Sequence, residues 1–474
     1  MLNFRLNGAP ITLDTNEVQP YDSSLALLRE HLHLCGTKEG CASGDCGACT
    51  IAVRRSGESS YKSVNACIMP ASQLDGLDVV TVEGLQGPQL HPVQQAMVEH
   101  HGSQCGFCTP GFVMSLFSLY HSADMPSSPD EIDEEIATAL GGNLCRCTGY
   151  RPIREAALNM HKTSGHVHDW IEATWNDTPP SKKEYEEVAR NFYRPTTVDE
   201  LSDLYHRLPE SKLVAGGTDL MLESTQRLID FPSVIDVTQV HELQHIEQKP
   251  EGWEIGAAVT YTQLQSLLNE HYPAFGKMLD RLGSRQIRNR GTLAGNIANA
   301  SPIGDTPPVL LTLDAKLRLA SKEGERTINL SDFFLDYKKT ELRQGEFIRS
   351  VIVPKLMPQQ QQFVWKISKR FDDDISAVLI AVCIEMEEDT VRDIRIAFGG
   401  MAAIPKRAYT AEKALTGCIL DRSSIRQAQQ ALAEEFTPLS DMRASAGYRL
   451  TVAGNLLERL RLVLTNNSIE AELV

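Results

Sequence analysis

No apolar run in this chain approaches the ~20 residues needed to cross a bilayer; the longest, Ile375 to Ile384, stops well short. The opening Met1-Leu-Asn-Phe-Arg-Leu-Asn lacks the basic stretch and apolar segment of a secretory signal. Basic excess is missing too. Lys and Arg number 46 against 62 Asp and Glu, a net charge of −16. Nucleic-acid binders and proteins drawn to anionic membranes need basic patches, so neither partner class is expected. No internal repeat is visible. These absences lead to the expectation of a soluble, cytoplasmic protein. Its 474 residues, 42% hydrophobic and 23% charged, suffice for about three domains at roughly 150 residues each.

In that compartment thiols stay reduced, so the eleven cysteines are not expected to form disulfides. Nine of them crowd into the first third, Cys35 and two sets of four, the first set being Cys41-Ala-Ser-Gly-Asp-Cys46-Gly-Ala-Cys49 and then Cys67. This C-x4-C-x2-C run with a later fourth cysteine is the spacing of plant-type [2Fe–2S] proteins. Three thiolates must turn inward from one loop. Gly40, Gly44 and Gly47 supply backbone that a Cβ would resist and leave N–H groups free to face sulfur. A four-cysteine zinc site prefers paired C-x2-C hooks. Cys105-Gly-Phe-Cys108 and Cys145-Arg-Cys147 form a second set, whose first hook is also a zinc hook, so zinc stays open there. A helix beginning near Cys105 would lower the thiol pKa of Cys105 and Cys108. Cys35 reads as a bystander and Cys383 as a small buried hydrophobe.

Residues 1–88 read as a β-grasp unit. A hairpin, Asn3 to Leu6 and Ile11 to Leu13, turns at Asn7-Gly8, and a helix capped by Ser24 carries Leu25, Leu27, Leu28 and Leu32. Strands are expected at Thr50–Val53 and Val79–Val82. Residues 89–164 turn helical: Val93–Glu99, a helix through Val113, Leu116, Leu119 and Tyr120, and one opened by Ser128-Pro129-Asp130-Glu131 and running to Leu140. Residues 165–185 mix charge with breakers and read as a linker, its His166 and His168 solvated rather than metal-bound.

Residues 186–359 follow with two glycine-rich stretches. Leu213-Val214-Ala215-Gly216-Gly217-Thr218-Asp219-Leu220 is a strand entering a turn whose amides could cradle a pyrophosphate, although it does not match GxGxxG. Gly291 to Asp305 is small or amide-bearing throughout, and Asn296, Asn299 and Asp305 could hydrogen-bond to a flat nucleotide cofactor. Arg281, Arg285, Arg288 and Arg290 could meet phosphates, but a solvated helix face is the default. Residues 360–474 alternate strands (Val364–Ile367, Ala377–Glu385, Val391–Phe398) with helices around Ala411, Ile425 and Ala446–Leu464, an α+β unit.

Taken together, Gly-Thr-Lys-Glu-Gly-Cys41, Gly-Asp-Cys46-Gly-Ala-Cys49-Thr, Gly102-Ser-Gln104-Cys105-Gly-Phe-Cys108-Thr-Pro-Gly, Gly142-Asn-Leu-Cys145-Arg-Cys147-Thr-Gly-Tyr and Ser368-Lys-Arg-Phe-Asp-Asp-Asp-Ile-Ser376 resemble the molybdenum hydroxylase family over nearly the whole chain. The resemblance implies an α+β multidomain protein: a plant-type ferredoxin domain, a helical-bundle [2Fe–2S] domain, a vanillyl-alcohol-oxidase-type FAD domain and a C-terminal flavoprotein domain. It implies that Cys41, Cys46, Cys49 and Cys67 hold one cluster and Cys105, Cys108, Cys145 and Cys147 another. FAD would be held by Leu213 to Leu220, Thr292, Gly295, Asn296, Asn299, Gly304 and Asp305, with Lys366 beside the flavin. Gln104 and Cys147 would lie near a molybdopterin on a partner chain, in a heterodimer or dimer of heterodimers, and Tyr337 with Asp372–Asp374 near a nicotinamide. Electrons from purine oxidation would pass from that partner through the helical-domain cluster, the N-terminal cluster and FAD to NAD. Readings with an aldehyde or another heterocycle as substrate, or with a zinc-stapled scaffold, stand beside it. No residue of this chain is expected to be catalytic.

Overall fold

The computed structural model describes residues 2–14, 18–19, 21–123, 126, 128–173, 187–189 and 191–465. They divide into two compact units: those within 1–204, 208–240 and 283–291 in the first, those within 205–207, 241–282 and 292–465 in the second.

The first unit is built on a five-stranded sheet of β1 (Leu2–Leu6), β2 (Ala9–Leu13), β3 (Thr50–Arg55), β4 (Lys62–Asn65) and β5 (Leu77–Val80), in the order β2-β1-β5-β3-β4. The β1–β2 hairpin forms as expected, with Asn7 (φ 51) and Gly8 (φ 83) both left-handed at its turn. The strand expected at Val79–Val82 is Leu77–Val80 instead, because a helical turn takes over at Val82–Leu85. The expected helix spans Ser24–His31, but Ser23 caps it; Ser24 is buried and donates to the Met69 carbonyl.

Alternation along the strands separates two cores. Ile51, Val53 and Val79 face one with Leu25, Leu27 and Leu28, while Ala52 and Val80 face the other with Phe112, Leu116 and Phe117. On the second face Asp78, wholly buried, accepts from Arg5 and Arg54 at 2.8 and 2.9 Å and from Tyr61 at 2.7 Å. Arg54 and Arg5 also donate to the carbonyls of Ala173 and Trp170. This ties residues 165–173 into the unit, with Ile171 buried in its core. The linker expected from 165 is therefore packed structure up to Ala173, and residues 174–185 lie outside the described ones.

Four helices follow: α1 (Pro92–Glu99), α2 (Thr109–Tyr120), α3 (Pro129–Leu140) and α4 (Arg151–Asn159). A small second sheet joins β6 (Glu187–Ala189), β7 (Phe192–Tyr193), β8 (Lys212–Val214) and β9 (Val234–Asp236) in the order β6-β7-β9-β8.

The second unit holds an antiparallel sheet of β10 (Ile246–Lys249), β11 (Gly252–Gly256), β12 (Lys316–Ser321) and β13 (Gly324–Asn329), a short hairpin of β14 (Phe334–Asp336) and β15 (Lys339–Thr340), and β16 (Phe347–Pro354), which lies between β11 and β12. A meander of β17 (Gln360–Ile367), β18 (Val378–Glu387), β19 (Thr390–Gly399) and β20 (Lys406–Arg407) packs against helices Tyr409–Leu415, Arg422–Glu435 and Ala446–Thr465. Among the described residues no helix is long and apolar enough to cross a membrane.

Removing the carboxylate of Asp78 strands two buried guanidinium groups. Asp78→Ala is expected to lower unfolding free energy by about 3–5 kcal/mol, read as a fall in urea midpoint. A pH effect comes from α1. His91 caps it, its Nδ1 accepting from Val93 N and its Nε2 lying 3.1 Å from His121 Nε2. Burial, then the neighbouring imidazole, holds His91 at about 3; burial, then Arg54, holds His121 at about 4. The ordinary value is 6.5, so the unfolded chain takes up protons first as pH falls. Stability is then full above about pH 6.5 and declines toward pH 4, by about 1.4 kcal/mol per pH unit for each histidine. Urea midpoints from pH 7 to 4.5 should show this slope, flattened in a His91→Gln, His121→Gln double variant.

Candidate redox site

The first cysteine set is carried by the loop before β3 and the short turn Ala66–Ile68 after β4. Cys49 Sγ and Cys67 Sγ lie 3.3 Å apart, and Cys41 lies beside Cys46 and Cys67. The N–H groups of Ser43 and Cys46 donate to Cys41 Sγ at 3.4 Å. Hydrogen bonds from the neighbouring thiols pull the Cys41 thiol pKa far down, while the thiol of Cys67 is driven up mainly by Cys41 and Cys49. Gly40 is needed for room rather than for a left-handed backbone: a Cβ there would come within 2.7 Å of Cys46 Sγ. Gly47 is needed for both reasons, with φ +65 and the Gly142 carbonyl 2.2 Å from where a Cβ would stand.

The second set pairs Cys105 with Cys147 and Cys108 with Cys145. Cys105 and Cys147 are exposed and Cys145 is buried. The helix expected near Cys105 starts only at Thr109, with Cys108 as its cap. The terminus does not lower Cys108: burial, then Cys145, pushes that thiol up to about 12. Cys145 moves down instead. Burial alone would raise it, but the Thr148 hydroxyl and the N–H groups of Thr148 and Cys147 prevail.

The donor chemistry fits a [2Fe–2S] cluster in each set: four thiols from two hooks, arranged in pairs, with amide and hydroxyl donors aimed at sulfur. Among the described residues no group of three or more Cys, His, Asp or Glu side chains is arranged around a single ion. His166 and His168 bond to each other and to the Gln86 carbonyl.

The two loops touch. Leu144 N donates to the Cys46 carbonyl at 3.0 Å, and Asn143 Nδ2 donates to the Gly47 carbonyl at 3.0 Å. Asn143 Oδ1 accepts from Ser115 Oγ at 2.6 Å and from Gln286 Nε2 at 3.2 Å. Sequence reading missed this buried amide hub. Gln286 sat inside a run read only for its arginines, and those arginines neither line a solvated face nor stand free for phosphates. Arg285 grips Glu135 with two bonds of 2.6 and 2.8 Å. Arg288 is buried and donates to the Gly283 carbonyl, and Arg290 donates to the carbonyl of Gly216 and to Gln73 Oε1. Burial lowers Arg290 to about 10. In the second unit, Arg281 donates to the Lys366 carbonyl and lies over the Phe371 ring.

The glycine-rich stretch Leu213–Leu220 lies in the first unit. Its carbonyls at Ala215, Gly216 and Gly217 accept from Gln73, Arg290 and Met221 N respectively. Gly217 has φ +76, and a Cβ would meet the Ile68 carbonyl at 2.7 Å. Packing within the unit thus demands glycine here whatever the loop binds, and Gly217→Val would test the fold before it tested a ligand.

In the second unit, Thr292 caps the helix Leu293–Ala298 through Gly295 N, and Asn296 Oδ1 accepts from Thr306 Oγ1 at 2.7 Å. Asn299 Oδ1 accepts from Lys338 Nζ. Asp305 and Lys366 turn to each other: Lys366 Nζ lies 2.7 Å from Asp305 Oδ2, and Ser376 Oγ donates to Asp305 Oδ1 at 2.5 Å. Both are buried, so these two charges are satisfied inside the protein. Gly304 is buried and Gly295 exposed; Gln104, Tyr337 and Asp372 are exposed, and Asp373 and Asp374 are half-buried.

Three protein families match the chain. Residues 81–158 match a [2Fe–2S] binding domain, residues 184–356 the FAD binding domain in molybdopterin dehydrogenase, and residues 363–463 the CO dehydrogenase flavoprotein C-terminal domain. The first of these sets zinc aside for the second cysteine set. Among curated proteins, xanthine dehydrogenase of Drosophila subobscura is 33% identical over 100% of this chain and 40% of its own length. Xanthine dehydrogenase/oxidase of Rattus norvegicus is 32% identical over 85% and 34%. The chain thus spans about two fifths of the relatives it matches. Among solved structures, carbon monoxide dehydrogenase from Hydrogenophaga pseudoflava aligns at 28% identity with a TM-score of 0.55, over 57% of this chain and 94% of that one. Quinoline 2-oxidoreductase from Pseudomonas putida 86 aligns at 26% with a TM-score of 0.54, over 59% and 97%.

The thiols of the two sets stand on separate hooks, so on the cluster reading each set holds its own cluster. Cys46→Ser should therefore remove the first cluster and spare the second, with iron falling from about four to about two per chain. Iron analysis and the visible spectrum of both proteins check this.

Proposed function

Because the chain belongs to the molybdenum hydroxylase family, with iron–sulfur and FAD domains, we propose that it is the iron–sulfur and flavin part of a xanthine dehydrogenase. In that role it carries electrons from purine oxidation at a molybdopterin on a partner chain, in a heterodimer or dimer of heterodimers, to NAD. When bound, the clusters supply one-electron transfer, and FAD joins this to two-electron hydride chemistry with a nicotinamide.

The chain's own residues hold and align these groups. The contact Leu144 N to Cys46 O is the observation that carries the reading, since it places one residue next to Cys145 on the carbonyl of a cysteine of the other set. The buried Asn143–Gln286–Ser115 hub ties the two loops together beside that contact. We propose that FAD is held by the residues the resemblance assigns. In the first unit these are Leu213–Leu220, where the Ala215, Gly216 and Gly217 carbonyls are tied back into the protein and the turn after β8 would offer its amides to an anion. In the second they are Thr292, Gly295, Asn296, Asn299 and Gly304, with Asp305 and Lys366 shaping the site as a pair. Purine as substrate is favoured by the xanthine dehydrogenases matched along the whole chain; the quinoline oxidoreductase match keeps another heterocycle as the second reading.

The isolated chain should pass electrons from NADH to an artificial dye, a route that needs no partner. Given xanthine and NAD, it should stay at background, because none of its residues is assigned to purine activation. Adding the molybdenum-bearing chain should start xanthine oxidation, and Cys105→Ser should return that to background while NADH–dye activity persists. A substrate panel on the assembled complex separates purine from the other heterocycles. Xanthine oxidation by the molybdenum-free chain alone overturns the division of labour.

A further inference from the structure

The loop Cys147-Thr148-Gly149-Tyr150 wraps one thiol of the second set. Thr148 Oγ1 lies 3.2 Å from Cys145 Sγ. The same oxygen accepts from Tyr150 N at 3.2 Å. Because that lone pair is occupied by a backbone donor, the single hydroxyl proton is left to point at sulfur. Tyr150 closes the ring of contacts: its phenol oxygen accepts from Cys145 N at 3.0 Å. Two consecutive left-handed residues, Gly149 (φ 68) and Tyr150 (φ 67), hold the loop in this shape. A tyrosine at such a φ is uncommon and must be held by its contacts. Cys145 itself is only 8% exposed, so water does not supply the hydrogen bond in place of Thr148.

We propose that Thr148 is a positioning residue that sets the reduction potential of the second cluster by donating its hydroxyl proton to Cys145 Sγ, with Tyr150 fixing the direction of that donation. The proposal rests on the reading that Cys105, Cys108, Cys145 and Cys147 hold a [2Fe–2S] cluster. Reduction adds one electron whose charge spreads onto the sulfurs. A donor aimed at sulfur stabilises the more negative state and raises the potential. The first set provides an internal reference, because its Cys41 takes backbone N–H groups from Ser43 and Cys46 that a change at Thr148 does not touch.

The test is a redox titration of the full, cluster-loaded chain followed by electron paramagnetic resonance, comparing wild type with Thr148→Val, Thr148→Ala and Thr148→Ser. In the Val and Ala variants one of the two [2Fe–2S] midpoints should move to more negative potential, by about a tenfold change in the oxidised-to-reduced ratio, which is ~59 mV for a one-electron couple. The other midpoint should stay in place, and Thr148→Ser should restore the wild-type value. A packing role for the threonine predicts the opposite order, since Val keeps the branched shape and Ser does not. Full iron in every protein with the Val and Ala midpoints within twofold of wild type overturns the proposal. So does a native-like Val beside a shifted Ser. A wild-type chain that shows only one [2Fe–2S] signal, with about two irons, overturns the underlying cluster reading and the proposal with it, an outcome the iron analysis keeps separate from the others.

Discussion

The hydrogen bond from Leu144 N to the Cys46 carbonyl is the constraint on which the rest of the redox architecture depends. It can form only if two loops of different origin, one feeding β3 and one following α3, approach at backbone distance. Backbone contact explains the glycines around it. With Gly47 at φ +65 and the Gly142 carbonyl against its Cα, any side chain would push the loops apart. It also explains the buried polar hub. Two loops in contact bury amides that sheet and helix cannot satisfy, and Asn143, Gln286, Ser115 and Thr50 meet that need with side-chain donors and acceptors. A hub fully buried in this way tolerates little shift, so the separation of the two cysteine sets is held by the same atoms that satisfy the backbone.

What the sequence made legible divides along a physical line. Periodicity and caps placed the hairpin, α1, α3 and the C-terminal meander, since those signals are local and the elements obey them. Cysteine spacing pointed to two sets of four, and the structure brings the thiols of each set together, because a loop that turns several thiols inward leaves its geometry in the spacing. The start of α2 was misjudged by four residues. A Gly-Phe-Cys-Thr-Pro string carries a helix start at its Thr-Pro, and the cysteines before it belong to the loop. Most of the polar partnerships were illegible. Nothing near Asp78 in sequence announces Arg5, Arg54 and Tyr61, and nothing near Gln286 announces Asn143. Their separations of up to 143 residues are a matter of tertiary structure alone.

The charged residues teach a related lesson. A run of four arginines beside a glycine-rich stretch suggested either solvent or phosphate, yet the structure gives Arg285, Arg288 and Arg290 partners inside the first unit. Asp305 and Lys366, assigned by resemblance to the flavin, are paired and buried together in the second. A buried pair adds little net stability, but losing one member leaves an uncompensated charge. The identity of such residues alone does not say that a ligand touches them.

On the proposed reading, the groups left to meet a cofactor are mostly neutral. In the first unit the stretch Leu213–Leu220 turns its carbonyls inward to Gln73, Arg290 and Met221. In the second, Asn296 and Asn299 have their carbonyl oxygens taken by Thr306 and Lys338, which leaves their amide nitrogens as donors. Amide N–H groups, unlike lysine or arginine, bring partial positive charge without a counter-ion requirement and keep it at any pH the fold survives. On the proposed reading, then, this chain binds an anionic cofactor with fixed dipoles and uses its full charges to hold the frame. That arrangement suits a protein whose net charge of −16 would otherwise oppose every phosphate it meets.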